Sequence, residues 1–373
     1  MIYLDYASNT PTDEDVLQTF VEVNQRMFGN PNSLHQAGRE AQETIEEALQ
    51  SIAADLHCNK SELIITSGAS ESNNTAIKGY ARVQRHTGRH ILSTCLEHSS
   101  VSASLTALQT QGYEIELLDL TPEGRVDLNS LKELIRKDTI LLAITAVDSE
   151  LGVVQPLAEI QEVLREYPDC ILHVDATQAI GKIPFCLNGL QSVSFSPHKF
   201  YGINGVGILY KREDMVVEPL IHGGSSTTVY RSGTPMTALT ASAAAAVHKA
   251  VLTLPETTAA VERIRNRIGE FLESQPGVYC NNTDYSIPHI LNISVPGYKA
   301  LRLQELLDAQ GICVSTKSAC AVPNTPSRAV FAVTKDKKRA VSSIRISISH
   351  LTTSAEADTF CQAFARCLEE LKT

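Results

Sequence analysis

Short apolar runs alternate with amphipathic segments between about residue 60 and residue 210. The runs are rich in Ile, Leu and Val and are too short for buried helices, so they predict β-strands. The segments between them, such as residues 99–111 and 157–166, have the pattern of amphipathic helices. This alternation predicts a largely parallel sheet covered by helices. We assign strands to residues 63–66, 91–94, 140–147, 171–174, 192–195 and 206–210.

The pattern changes beyond this region. Residues 238–250 are rich in alanine, which predicts a long buried helix leaving the sheet, and a charged helix at 261–275 follows Pro255. Apolar runs and amphipathic segments then mix, which indicates a smaller α+β unit. Its predicted elements span residues 290–295, 301–310, 312–315, 344–349 and 355–371.

The length of 373 residues suits one large domain and one smaller domain. We therefore predict an α/β protein whose large domain, residues 16–254, contains a mainly parallel, seven-stranded-type sheet covered by helices. Residues 1–15 and 255–373 are predicted to form the smaller α+β domain.

Composition excludes several classes of function. The net charge is −10 and the charges are mixed along the chain, so no basic stripe is present to bind nucleic acid. No apolar run of about 18 residues predicts a membrane-spanning helix, and the N-terminus lacks the pattern of a signal peptide. The nine cysteines include no Cys-x-x-Cys pair, which predicts reduced thiols in a cytoplasm and no zinc site.

Polar side chains follow five of the predicted strands, at the point where each strand ends. In an open parallel sheet the carboxyl ends of the strands meet at one edge, where ligands bind. Each group alone is a weak signal, but its repetition after successive strands predicts one shared site. In chain order the groups are Ser67-Gly-Ala-Ser70, Glu97-His98, Asp148-Ser149, Asp175 with Gln178, and Ser196-Pro-His-Lys199.

Lys199 supports the sharpest chemical hypothesis. A lysine at the end of a buried strand can form a Schiff base with an aldehyde cofactor, and the alternative is a surface lysine in a loop. Asp175 ends another buried strand, where a carboxylate is costly unless it meets a cation such as a protonated pyridine nitrogen. A helix-capping role is the alternative for Asp175. Ser70 lies at a predicted helix N-terminus, which suits either a phosphate or ordinary N-capping.

Four further residues each have two interpretations. His98 can lie over a flat ring and move protons, since its ordinary pKa is near ~6.5, or it can be a structural histidine bound to backbone. Thr234 can bind a phosphate oxygen or simply belong to a turn. Arg345 interrupts an apolar strand, where it can bind a substrate carboxylate or form a structural salt bridge. Cys320 is either a nucleophile in an exposed loop or an inert buried thiol.

The order and spacing of these residues resemble those of the cysteine desulfurases, which are pyridoxal-phosphate enzymes of the class V aminotransferase fold. The likeness runs from Tyr3-Leu-Asp-Tyr-Ala through Gly29-Asn-Pro-Asn-Ser-Leu-His to Ser343-Ile-Arg-Ile-Ser, nearly the whole chain. The resemblance implies a homodimer that converts L-cysteine to L-alanine and holds the sulfur as a persulfide on Cys320. It also implies a sulfur-acceptor protein, for cluster assembly or tRNA thiolation.

The resemblance implies a role for each candidate residue. Lys199 would carry the cofactor, Asp175 would pair with its ring nitrogen, and His98 would stack on the ring and shuttle protons. Gln178 would hydrogen-bond the phenolic oxygen. Arg345, helped by Asn30, would bind the substrate carboxylate. The phosphate would be held by Ala69, Ser70, Ser196, His198 and, reaching into the site of the partner subunit, Thr234.

Two segments depart from the usual family pattern. Where the family has Asn-Asn-Glu-x-Gly, this chain has Asp148-Ser-Glu-Leu-Gly, so Ser149 replaces the asparagine that contacts the phenolic oxygen. The active loop has Lys317 in place of a glycine, which would favour the Cys320 thiolate. Two other functions stay open: a selenocysteine lyase or another pyridoxal-phosphate enzyme of this fold, and a degenerate sulfur-carrying or binding protein.

Overall fold

The computed structural model describes residues 1–224, 226, 228–317 and 325–372. The strands are β1 (Ile2–Tyr3), β2 (Leu63–Thr66), β3 (His90–Ser93), β4 (Glu114–Leu117), β5 (Thr139–Thr145), β6 (Ile171–Asp175), β7 (Ser192–Phe195), β8 (Gly207–Lys211), β9 (Tyr279–Cys280), β10 (Ile290–Ser294), β11 (Ile312–Cys313) and β12 (Ser343–Ser347). The helices are α1 (Glu14–Arg26), α2 (Gln36–Leu56), α3 (Ala69–Val83), α4 (Ser99–Gln109), α5 (Leu128–Leu134), α6 (Leu157–Leu164), α7 (Thr237–Leu252), α8 (Leu254–Glu273), α9 (Ala300–Asp308), α10 (Arg328–Thr334), α11 (Lys337–Val341) and α12 (Ser354–Lys372).

The central sheet contains seven strands in the order β2-β8-β7-β6-β5-β3-β4. β8 runs antiparallel to β7 and β2, and the other neighbouring strands of this sheet are parallel. The prediction of a mainly parallel seven-stranded sheet is therefore confirmed. Because β2 points in the same direction as β7, all five strands that precede the polar groups end at the same edge.

Several short or peripheral elements were not predicted or differ in their bounds, and β4 and α8 illustrate the physical reasons. β4 was not predicted, because it is an edge strand whose Glu-Ile-Glu-Leu sequence is exposed at both ends. α8 begins at Leu254 and not at residue 261, because Pro255 occupies the first turn. Proline is tolerated there, since the N–H that it lacks has no partner inside a helix.

The two largest hydrophobic cores of the described residues lie in different parts of the fold, and a smaller one packs α3 and α4 against the seven-stranded sheet. The first lies between the seven-stranded sheet and its helices, with Leu142, Val174 and Phe195 at its centre. The second lies between the sheet β12-β10-β9 and helices α8, α9 and α12, and includes Ile346 and Phe364. These cores support the predicted domains of residues 16–254 and of 1–15 with 255–373, whose boundaries remain a prediction.

In the described part of the chain, no single helix is long and apolar enough to cross a membrane. The pair α7 and α8, which bends by 67°, meets the criteria of length and composition only when both helices are taken together. Ala243 and Val247 of α7 are fully buried in the first core, which accounts for the apolar character of that helix.

Candidate active site

A cavity of about 390 Å³ opens at the edge of the sheet where the five strands end. The structure brings most of the predicted site residues into its lining, from strand ends that are far apart in the sequence. These lining residues are Ala69, Ser70, His98, Ser149, Asp175, Gln178, His198, Lys199 and Arg345.

Of the predicted site residues that the structure describes, three are not part of this lining. Asn30 lies in an exposed turn, where its Oδ1 accepts the N–H of Asn32 at 3.0 Å. Thr234 is exposed and is also outside the cavity of its own chain. Ser196 is buried, and its Oγ lies 2.8 Å from Nδ1 of His198, so this hydrogen bond orients the histidine ring. Cys320 lies outside the described residues.

Lys199 ends a short turn that follows β7. Its Nζ donates to the carbonyl oxygen of Ala7 at 3.1 Å and to that of Ser8. The N-terminal segment is itself tied to this turn, because Thr10 donates to the His198 carbonyl from both its N–H and its Oγ1. The first residues of the chain therefore hold Lys199 in place at the edge of the sheet.

Asp175 is buried at the end of β6 and is oriented by two donors. Nδ2 of Asn73 donates to its Oδ2 at 2.8 Å, and the N–H of Thr177 donates to its Oδ1 at 3.0 Å. Neither donor is charged, and within the described chain no cation pairs with this carboxylate. A buried carboxylate with neutral partners suits a cationic ligand such as a protonated ring nitrogen.

Asn73 is the centre of a buried hydrogen-bond network beneath the cavity. Its Oδ1 lies 2.9 Å from Nε2 of His173 and accepts from Oγ of Ser194. Its Nδ2 donates to Asp175 and also, at 2.9 Å, to Oγ of Ser100. Both donors and both acceptor positions of this amide are thus used.

His98 caps the N-terminus of α4 with its own ring. Its Nδ1 accepts the N–H of Ser100 at 3.1 Å and lies 2.8 Å from Oγ of Ser100. This pattern assigns the single proton of the neutral ring to Nε2. Burial lowers the pKa of His98, which the Asp175 charge opposes and the Lys199 charge reinforces. The neutral ring is therefore the resting form, with a donor at Nε2.

The start of α3 offers a place for a phosphate. Its N-cap is Gly68, so no side chain caps the helix, and Ala69 and Ser70 line the cavity. Uncapped N–H groups and the helix dipole attract an anion. Gly207 allows β8 to approach this turn, because a Cβ at Gly207 would lie 2.3 Å from the Gly68 carbonyl carbon.

Arg345 forms the salt bridge that the sequence left open, and its role in binding a substrate carboxylate stays a prediction. Its Nη2 forms an ion pair with Oδ1 of Asp5 at 2.9 Å, and its Nη1 donates to the Ser149 carbonyl at 2.8 Å. Its Nε has no hydrogen-bond partner among the residues of the structure, although the side chain is only 1% exposed. Arg345 is one of the residues that line the cavity, and a guanidinium group suits a carboxylate ligand.

Two buried acids lie beside the site. Burial raises the pKa of Glu97 to about 8 and that of Asp148 to about 7, and the charges of nearby acids add to both shifts. Oε2 of Glu97 and Oδ1 of Asp148 have no hydrogen-bond partner in the described chain. Asp148 occupies the first position of the segment that departs from the usual family pattern.

Sequence reasoning missed Asn73 and Lys182. Asn73 is in the same Ser-Gly-Ala-Ser-Glu-Ser-Asn-Asn segment as the predicted phosphate site, one helical turn beyond Ala69. The turn-to-turn spacing of a helix was therefore a signal that could have placed Asn73 against the sheet. Lys182 follows Gly181 in a turn between strands, a context typical of exposed residues.

The family model for class-V aminotransferases matches residues 2–360, and the chain belongs to this family. Cysteine desulfurase IscS from Dictyoglomus turgidum is 35% identical over 377 residues, which cover 100% of this chain and 95% of that protein. A solved NifS-like protein superimposes with a TM-score of 0.93 at 33% identity, over 99% of both chains. SspA, solved in complex with cysteine, superimposes with a TM-score of 0.82 at 29% identity, over 95% of this chain and 100% of that one.

Within the class-V family these likenesses identify a cysteine desulfurase, an enzyme of the kind that depends on pyridoxal phosphate. They do not favour the two alternatives left open by the sequence, a selenocysteine lyase or related enzyme and a degenerate sulfur carrier.

Proposed function

We propose that this chain binds pyridoxal phosphate through Lys199 and transfers the sulfur of L-cysteine to Cys320. The observation that carries the proposal is the convergence of Lys199, Asp175 and His98 on one cavity beside the uncapped start of α3. SspA, a structural relative, was solved in complex with cysteine, which supports the choice of substrate.

The polar groups of the cavity match the parts of this cofactor. Asp175 offers a carboxylate for a protonated ring nitrogen, and Gln178 offers an amide N–H for the phenolic oxygen. The N–H groups of Ala69 and Ser70, with His198 and its support Ser196, suit the phosphate. When bound, pyridoxal phosphate supplies an electron sink for the charge that develops on the substrate α-carbon.

Side chains of the protein transfer the protons and orient the substrate. Nζ of Lys199, placed by the Ala7 and Ser8 carbonyls, takes and returns a proton at the substrate α-carbon. Nε2 of His98 carries a proton that it can donate, because Nδ1 is occupied by Ser100. The guanidinium group of Arg345 receives the substrate carboxylate.

Cys320 is proposed as the sulfur acceptor. Its thiolate attacks the sulfur of the bound substrate, so that a C–S bond breaks and an S–S bond forms. The substrate carbon takes a proton and leaves as part of L-alanine, and Cys320 holds the persulfide. An acceptor protein then removes this sulfur for cluster assembly or tRNA thiolation. The described cysteines are unpaired, which supports a reducing cytoplasm as the location.

A homodimer is proposed, in which Thr234 completes the phosphate site of the partner subunit and Asn30 helps Arg345 to bind the substrate. Thr234 and Asn30 are exposed in the single chain. Large apolar side chains in the same two segments are exposed as well: Phe28 by 84%, Leu34 by 91% and Val229 by 70%. Exposed apolar side chains grouped in this way favour a protein interface.

The test measures alanine and sulfide formed from L-cysteine and from L-selenocysteine. Cys320→Ser should retain the yellow colour of the holoenzyme but release no sulfide from L-cysteine, since serine cannot form a persulfide. Cys280→Ser, which changes an exposed unpaired cysteine outside the cavity, is the matched control and should behave as wild type. Undiminished sulfide release by Cys320→Ser would refute the role of Cys320. Turnover of L-selenocysteine but not of L-cysteine would instead favour a selenocysteine lyase.

A further inference from the structure

Lys182 is a buried lysine in the turn between β6 and β7. Its side chain is 7% exposed, and its Nζ donates to Oε1 of Gln178 at 2.8 Å. Burial lowers the pKa of Lys182 to about 7, and the positive charges of Lys199 and Arg345 act in the same direction. No carboxylate offsets this charge in the part of the chain that the structure describes.

Lys211 shows how the same protein buries a lysine for purely structural reasons. It is 2% exposed, and its Nζ donates to three carbonyl oxygens, those of Arg212, Glu213 and Met215, at 2.7–3.3 Å. Lys182 has one amide partner in place of three carbonyls. An ammonium buried with so little compensation is costly, and such groups concentrate at functional sites.

The partner of Lys182 is a residue of the cofactor cavity. An ammonium group has donors only, so the oxygen of the Gln178 amide must face Lys182. Nε2 of Gln178 donates to the Ala7 carbonyl at 2.8 Å, and Nζ of Lys199 donates to the same carbonyl at 3.1 Å. One hydrogen of Nε2 therefore remains for a ligand in the cavity that Gln178 lines.

We propose that Lys182 is a positioning residue that orients the Gln178 amide, so that Gln178 presents an N–H donor to the phenolic oxygen of the bound cofactor. The inference rests on the proposed function, because it requires pyridoxal phosphate in this cavity. Without Lys182, the buried Oε1 of Gln178 loses its donor, and the amide can rotate away from the geometry that faces the ring.

The charge of Lys182 has a second effect on Lys199. The groups that face Lys182 are basic or neutral, so its charge disfavours a further positive charge at Lys199. The Lys199 nitrogen, once linked to the cofactor, therefore holds its proton less tightly than it would without Lys182. The titratable and charged groups around Lys182 are Lys199 and His198 from the turn after β7, Arg345 from β12, His289 before β10, and Tyr6, Tyr201 and His350 around an adjoining cavity of about 20 Å³.

The test is a pH titration of the absorbance near ~400 nm that the Lys199-linked cofactor gives in the holoenzyme. Loss of the Lys182 charge and loss of the Gln178 donor both stabilise the protonated form. In Lys182→Met the midpoint should therefore rise by about one pH unit. Lys211→Met is the control, and its midpoint should equal that of wild type even if its thermal stability falls. Lys182→Arg, which retains charge and donors, should return the midpoint toward the wild-type value.

Each result separates this inference from the proposed function. A wild-type protein that takes up no pyridoxal phosphate would overturn both. A wild-type protein that binds the cofactor while Lys182→Met titrates at the same midpoint would overturn the role of Lys182 alone. If Lys182→Met does not fold, Lys182→Ala removes the same charge and donors with a smaller side chain, and a midpoint equal to that of wild type in that variant would overturn the role of Lys182.

Discussion

The substitution Asn73→Ala tests whether the buried hydrogen-bond network around Asn73 supports Asp175 and the stability of the fold. The amide of Asn73 is fully buried and forms four hydrogen bonds, to Asp175, Ser100, His173 and Ser194. Alanine removes all four bonds. Ser100 keeps its contact with His98, but one oxygen of Asp175, Nε2 of His173 and Oγ of Ser194 each lose a buried partner.

The size of the effect follows from these three groups. An unsatisfied buried polar group costs about 1–3 kcal/mol, so the free energy of unfolding should fall by about 3–9 kcal/mol. With an unfolding entropy of about 2.1 cal/mol/K per residue, a chain of this length should lose about 4–11 °C in Tm. The affinity for pyridoxal phosphate should fall as well, because the carboxylate of Asp175 loses the donor that orients it.

The assay compares thermal unfolding and cofactor binding in Asn73→Ala and Asn74→Ala. Asn74 is the neighbouring residue of the same helix and is partly exposed, and among the described residues its side chain bonds to the Ser70 carbonyl and to Lys78. Its replacement should change stability by about 0.5 kcal/mol or less. Equal melting temperatures and equal cofactor affinities in the two variants would refute the account of Asn73 as the support of Asp175.

Two further predictions concern residues around the cavity. Folding raises the pKa of Glu97 from 4.5 to about 8, so between these two values the folded state binds a proton that the unfolded state releases. The free energy of unfolding should therefore fall as the pH rises from 4.5 to about 8, by at most about 1.4 kcal/mol per pH unit for this group. Glu97→Gln should flatten the fall in Tm between pH 5 and pH 8, and parallel curves for variant and wild type would contradict the prediction. Gly207→Ala should weaken binding of pyridoxal phosphate, because the added Cβ presses on Gly68 in the phosphate turn. Gly269→Ala, in α8 and with open space for a Cβ, should leave cofactor affinity unchanged. Equal losses of affinity in both variants would refute this account of the turn.

The strands and the edge that carries the site were predictable from the sequence. Short β-branched runs between amphipathic helices fix the direction of successive strands, so Ser70, His98, Asp175 and Lys199 could be placed at one edge before their contacts were known. The antiparallel strand β8 did not disturb this result, because β2 and β7 on either side of it point the same way.

The network beneath the site was not predictable in the same way. Asn73 acquires its role only because β6, β7, α3 and the start of α4 converge on one buried point. The spacing within α3 places Asn73 against the sheet, but it does not encode which groups of the other elements converge there. Lys182 was missed for a related reason, since a lysine after a glycine in a turn looks solvent-exposed until the N-terminal segment covers it. The exposed positions of Asn30 and Thr234 in the single chain agree with sites that a partner subunit completes, which remains a proposal.

The central claim is that Lys199 holds pyridoxal phosphate in the cavity at the edge of the sheet. The direct measurement is the absorbance spectrum of purified protein after incubation with pyridoxal phosphate and removal of the excess, for wild type and for Lys199→Ala. The account predicts a band near ~400 nm in wild type that Lys199→Ala lacks. A colourless wild-type protein that cannot be reconstituted, or a band of equal strength in Lys199→Ala, would contradict it.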